Sequence, residues 1–96
     1  MPKSVFEQAR LRRRLRGEYI HPLGGPGNKS LQDYWVDRKV DRPFRAYLPI
    51  LCIGQQVIWS IGVGPGEEAR VRPGEDCVLL RYEGYLPGEI TGSNKE

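Results

Sequence analysis

The sequence predicts a small single α+β domain, with short helices packed on a mostly antiparallel sheet or a partly closed β-sandwich. Three observations predict it. The first half carries one apolar pattern at helical spacing, the second half carries β-branched-rich apolar runs of strand length, and 12 glycines and 8 prolines cut the chain into short pieces. With 96 residues, 39% of them hydrophobic, the chain supports one modest core. A domain of this size buries a little over about 60% of the surface its unfolded chain exposes.

"SVFEQARLRRRLRG" opens with Ser4 as a cap and Glu7 three residues later, as in a capping box. The local preference is a helix ending at Gly17, with Phe6 and Ala9 on one side. Arg10, Arg12, Arg13, Arg14 and Arg16 leave that helix a thin apolar face. Residues 1–16 therefore read as a basic N-terminal arm or linker helix, or as disorder, ahead of a folded domain over 17–85 and a polar tail over 86–96. "GEYIHPLGG" predicts a short strand from Glu18 to His21 leading into a glycine-rich loop. Leu31, Tyr34, Trp35 and Arg38, spaced i, i+3, i+4 and i+7, predict a helix capped by Asn28 or Ser30. Its apolar residues face the core, while Gln32, Asp33 and Lys39 stay in water. Pro43 suits the first position of a further helical turn, with Arg42 extended before it, and Leu48 before Pro49 ends that turn.

In the second half, "PILCIG" and "QVIWSIG" predict a hairpin joined through "GQQ". "GPGEEARVRPG" predicts turn, short strand, turn. "DCVLLRYEGYL" predicts a last strand with Val78, Leu80 and Tyr82 on one face.

The sequence argues against most catalytic chemistry. "GGPGNKS" departs from the nucleotide-binding G-x-x-x-x-G-K-[ST] loop, because Asn28 stands where the second glycine is required. The loop retains backbone amides and Lys29 at a helix start, a setting that suits a single phosphate or an ordinary capped loop. "GVGPGEE" lacks the dinucleotide spacing. Asp33 with Asp37 and Glu67 with Glu68 fall on positions expected to be solvated. Cys52 and Cys77 sit in apolar runs without a C-x-x-C spacing and read as buried free thiols of a reducing cytoplasm. His21 stands alone, which leaves little for a metal site. No run reaches the roughly 20 apolar residues of a membrane helix, so the expectation is a soluble cytoplasmic chain without a membrane partner.

Charge is the informative feature. Up to Arg45 there are eleven Lys/Arg against five Asp/Glu, and from Ala46 onward four against seven, so the net +3 conceals a basic first half. Such segregation suits an anionic partner, although a solvated basic face has the same signature. Around the two helical segments stand Lys29, Arg38, Lys39, Arg42 and Arg45. Some of these can pair instead with Asp33, Asp37 and Asp41, and exposed pairs are worth only about 0–1 kcal/mol each.

The order of the pieces is distinctive. "RGEYIHPLGG", then "NKSLQDYWVDRKVDRPFRAYLPILCIGQQVIWSIGVG", then "ARVRPGEDCVLLRY" resembles the C-terminal domain of tRNA(Ile)-lysidine synthase. The matching positions are Lys29 and Leu31, Asp37, Lys39 and Val40, Arg45, Leu48 with Pro49, Gly54, Ile58 with Trp59, and Gly62, in register from about Leu15 to Tyr82. The resemblance implies a small α/β domain that binds tRNA and delivers it to a separate catalytic domain. That domain uses ATP to attach lysine to the anticodon cytidine, changing decoding from AUG to AUA, and carries an S-G-G-x-D-S loop that this sequence lacks. No cofactor is expected in this chain, and ATP belongs to the catalytic domain. Family members often hold further lysines where this chain has Ser30 and Gln32. The expected tRNA-backbone surface is Lys29, Lys39, Arg42 and Arg45, with Arg13, Arg14 and Arg16 as auxiliaries. The expected partners are tRNA, through acceptor-stem or backbone contacts, and the parent catalytic domain. The rival reading is a protein-interaction module, and the oligomeric state is left open.

Overall fold

A computed structural model describes residues 1–80. Along the chain run helix α1 (Lys3–Gln8), strands β1 (Arg10–Arg13), β2 (Tyr19–Ile20) and β3 (Lys29–Ser30), helix α2 (Leu31–Asp37), and strands β4 (Pro49–Ile53), β5 (Gln56–Ser60) and β6 (Gly64–Pro65). Single 3-10 turns occupy Arg42–Phe44 and Glu67–Ala69. The six-stranded sheet has the order β1-β4-β5-β2-β3, with β6 on β5. Among the described residues only β2 and β5 pair in parallel, and the other pairs are antiparallel. This is the α+β architecture expected.

Helix α2 forms where the apolar spacing predicts it. Ser30 is the cap, its Oγ accepting from the Asp33 amide at 3.0 Å. Leu31, Tyr34 and Trp35 turn to the sheet and join Ile20, Leu48, Ile50, Cys52 and Val57 in the core. Burying each large apolar side chain contributes about 1.5–3 kcal/mol. The Trp35 indole keeps its polar atom satisfied by donating from Nε1 to Ser60 Oγ at 2.8 Å. The β4–β5 hairpin turns at Gly54 and Gln55, where Gly54 takes φ +60. A register shift between Leu51 and Cys52 marks a bulge, beside which the consecutive Val57 and Ile58 are both fully buried.

Several local expectations are corrected. The helix expected through Gly17 stops at Gln8, and its cap position is Pro2 rather than Ser4. The arginine run becomes strand β1, with Arg10 to Arg13 paired to Cys52 through Pro49. Arg and Leu favour helix locally, but a helix here has no apolar stripe to bury. A strand aligns Leu11 with Leu51 and Trp59 across three strands and gains a backbone ladder. Thus part of the expected 1–16 arm is an edge of the sheet. At the second helical turn, Asp41 is the extended residue and Pro43 sits within the 3-10 turn. Its missing N–H costs nothing, because Phe44 supplies the first donor, to the Asp41 carbonyl.

The strand expected within "ARVRPG" is not formed. Glu67–Ala69 is a 3-10 turn braced by an Arg70–Glu67 ion pair, and the segment after it has no ladder. Cys77 makes one isolated bridge to Pro2, and residues 78–80 form no strand. Tyr82, Tyr85 and the expected tail over 86–96 lie outside the described residues. Cys77 is also exposed, against the expectation of burial, whereas Cys52 is buried as expected.

Candidate nucleic-acid interface

Two segments converge beside the N-terminal half of α2. The first is the connection from β1 to β2. Here Gly17 takes φ +80, a left-handed conformation that favours glycine. The second is the turn after α2. Lys39 occupies a left-handed conformation at φ 61, its amide donates to the Val36 carbonyl, and the Val40 amide reaches back to the Trp35 carbonyl. This paired bonding closes the helix in the Schellman manner with a lysine at the position glycine usually fills. Arg45 then clasps the turn, donating from Nε and Nη2 to the Val40 carbonyl at 3.1 and 3.0 Å.

Together these segments wall a cleft of about 670 Å³, lined by Arg13, Arg14, Arg16, Arg42 and Arg45 with Leu15, Gly17, Gln32 and Ala46. Among the described residues none of these five arginines makes an ion pair. Arg14 is oriented from two sides. Its guanidinium carbon lies 5.5 Å from the centre of the Trp35 ring, and its Nη2 donates to Gln32 Oε1 at 3.2 Å. Cations brought together without acids between them make a strong local field, and the planar forks of arginine suit phosphate oxygens.

The structure divides the sequence-derived set. Arg13, Arg14, Arg16, Arg42 and Arg45 share the cleft, so the three expected auxiliaries form most of one wall. Lys29 is not part of it. Its ammonium pairs with Asp37 on the surface, an interaction worth about 0–1 kcal/mol. Lys39 is exposed and also outside the cleft lining. Arg38, the remaining cation of the helical segment, lies 4.8 Å over the Tyr34 ring. Gln32, expected only to be wet, lines the cleft.

The alternative chemistries have a place in the structure too. Glu67 is held down to about 2 by Arg70 and by the Gly24 amide, which marks a structural carboxylate rather than a proton carrier. Glu68 is half-buried rather than exposed. Burial pushes the Cys52 thiol up, away from nucleophilic use. No group of three or more His, Cys, Asp or Glu is arranged for a metal ion among the described residues. The glycine loop does not fit a nucleoside triphosphate, since it lacks the second glycine and its lysine is engaged by Asp37. No helix among the described residues is long and apolar enough to cross a membrane. On the opposite face of the sheet an apolar groove of about 630 Å³ includes Phe6, Leu11, Leu51, Trp59 and Ile61.

Comparison with known proteins decides the family. The model for the TilS substrate C-terminal domain matches residues 9–82, which is most of the chain and begins at the residue before β1. The chain belongs to the tRNA(Ile)-lysidine synthase C-terminal domain family. A tRNA(Ile)-lysidine synthase from Dehalococcoides mccartyi is 36% identical over 78 residues, covering 81% of this chain and 16% of that protein. The Geobacter sulfurreducens synthase is 38% identical over 64 residues, covering 67% of this chain and 14% of the relative. A solved structure described as the TilS C-terminal domain superposes with a TM-score of 0.57 at 28% identity, over 70% of this chain and 52% of that one. The chain thus spans about one seventh to one sixth of the length of these curated relatives. The TilS family match takes in β1, so the arginine strand belongs with the domain in sequence as it does in the sheet.

Proposed function

We propose that this domain grips the ribose-phosphate backbone of tRNA in the arginine cleft and so positions it for a separate catalytic domain of tRNA(Ile)-lysidine synthase. The domain contributes binding and no chemistry. ATP, the lysine and the anticodon cytidine are handled by the catalytic domain, whose S-G-G-x-D-S loop has no counterpart in this sequence. The observation that carries the reading is the meeting of five arginines from two separate chain segments in one cleft without a carboxylate among its lining residues. Family membership supports it, because the relatives are tRNA(Ile)-lysidine synthases.

The test is the salt dependence of binding to bulk tRNA, followed by fluorescence anisotropy between about 50 and 200 mM KCl. Each phosphate neutralised on duplex contributes about −0.9 to the slope of log affinity against log salt, so five contacts give about −4.5. Arg42→Gln should flatten the slope by about 1 without a change in fold. Arg45 is a poorer probe, since it also braces the turn at Val40. An affinity indifferent to salt overturns the reading. The apolar groove behind the sheet favours a second reading, docking of a protein partner. Co-elution with tRNA in size-exclusion chromatography separates the two.

A further inference from the structure

We infer that Glu18, which does not line the arginine cleft, is its positioning residue: its buried carboxylate ties the Leu15 amide to the Arg12 guanidinium and thereby delivers Arg13, Arg14 and Arg16 to one wall. The inference rests on the reading of the cleft as a site for RNA backbone.

The connection over residues 14–18 is held in an unusual way. Among the described residues no amide in it donates to a backbone carbonyl. Its position therefore depends on side chains. Glu18 supplies the anchor. It is 3% exposed, and its own carbonyl accepts from the Leu31 amide at 3.0 Å, which pins it to the start of α2. From that fixed point the carboxylate reaches back along the chain. Oε2 accepts from the Leu15 amide at 2.7 Å and from Arg12 Nη1 at 2.6 Å. Arg12 extends the clasp, donating to the Arg13 carbonyl and, through Nη2, to the Gly54 carbonyl at 3.0 Å.

Two consequences follow for charge. Arg12 is withdrawn from the anion site, while its sequence neighbours Arg13, Arg14 and Arg16 are presented to it. Glu18 also stays ionised: burial pushes its carboxyl up, but the Arg12 guanidinium and the Leu15 amide outweigh that, and the net shift is downward. One acid two residues beyond a seven-residue run with five arginines is thus used to sort which of them face a ligand.

The experiment uses the full 96-residue chain, bulk tRNA as probe, and anisotropy over the same salt range. Glu18→Gln and Arg12→Gln are compared with Arg13→Gln, Arg14→Gln and Arg16→Gln. Positioning predicts that Glu18→Gln and Arg12→Gln both weaken binding, by about tenfold to a hundredfold, with the slope falling from about −4.5 toward the −1.8 or so of two remaining contacts. Simple electrostatics predicts opposite signs, since removing an acid beside the cleft should tighten binding to an anion. If Glu18→Gln binds as tightly as wild type with an unchanged slope while the three cleft arginine variants weaken, the inference is wrong and the cleft reading stands. If neither wild type nor the arginine variants show salt-dependent binding, the cleft reading fails and the inference falls with it. Should circular dichroism show that Glu18→Gln does not fold, Arg12→Gln is judged against Arg10→Gln, which removes the same charge from an exposed arginine outside the cleft. Equal effects of those two variants overturn the inference.

Discussion

Ser60→Ala tests what holds the helix that carries one side of the cleft. Trp35 and Ser60 are both fully buried, and their 2.8 Å hydrogen bond is the polar contact between α2 and β5 at the centre of the core. Removing the hydroxyl leaves the indole N–H in an apolar interior without an acceptor. That orphaned donor costs about 1–3 kcal/mol, and the small void left by one oxygen adds little, so the expected loss is about 2 kcal/mol. Urea unfolding followed by circular dichroism reads it directly. With a slope of about 1–3 kcal/mol per molar for a small protein, the midpoint should fall by about 0.7–2 M with the slope itself unchanged. Trp35→Phe removes the donor instead. In the double mutant the Ser60→Ala step should then be nearly silent, giving a coupling of about 1–2 kcal/mol. A Ser60→Ala loss below about 0.5 kcal/mol, or no coupling, refutes the claim that this bond orders the core. The consequence reaches the site, because Arg14 lies over the same Trp35 ring.

Three further outcomes are expected. Lys39→Gly should stabilise the domain by about 1 kcal/mol, since the left-handed conformation at this position costs a side-chain-bearing residue about that much; calorimetry would show a higher Tm, and the salt slope for tRNA should stay as it was because Lys39 lies outside the cleft lining. Gly64→Ala should destabilise clearly, because a Cβ there would stand 2.5 Å from the hydroxyl of the buried, rigid Tyr34; retention of the wild-type urea midpoint would contradict the close approach. Glu67 has its folded pKa depressed from 4.5 to about 2 by Arg70 and the Gly24 amide, so its stabilising contribution is present above about pH 4.5 and is lost as pH falls toward 2; Glu67→Gln should remove that part of the acid sensitivity, seen as a flatter stability profile between those two values.

Much of the fold was legible because it follows from short-range rules. The i, i+3, i+4 spacing at Leu31, Tyr34 and Trp35 and the hydroxyl of Ser30 specify α2 locally. The paired apolar runs around Gly54 specify the hairpin in the same way. What escaped was decided over distance. Nothing within Arg10 to Arg13 announces a strand; only the presence of β4, some forty residues later in the chain, makes one. The site divides along the same line. The basic character of Arg42 and Arg45 was plain from charge, but their meeting with Arg13, Arg14 and Arg16 depends on β1 lying in the sheet. The pairing of Lys29 with Asp37 spans the whole of α2, and although the sequence offered Asp37 as a partner, charge alone did not single it out over Asp33 or Asp41.

Placing arginines on an edge strand also resolves a conflict that a helix would not have faced. Among the described residues strand β1 ends the sheet order, and one side of it has no strand partner there. Such an edge invites pairing with another chain, the more so when its apolar face continues the row of Leu51 and Trp59, as Leu11 does here at 65% exposure. Charged side chains are a recognised deterrent, because edge-to-edge pairing would stack like charges at strand spacing. Arg10, Arg12 and Arg13 put three arginines in a strand of four residues, and Arg10 and Arg13 make no ion pair among the described residues. Of these, Arg12 is neutralised by Glu18 and turned to bracing, and Arg13 lies at the end where the cleft begins. The same cationic run therefore sets like charges along this edge and, with the turn that follows it, supplies three of the five arginines facing the proposed RNA.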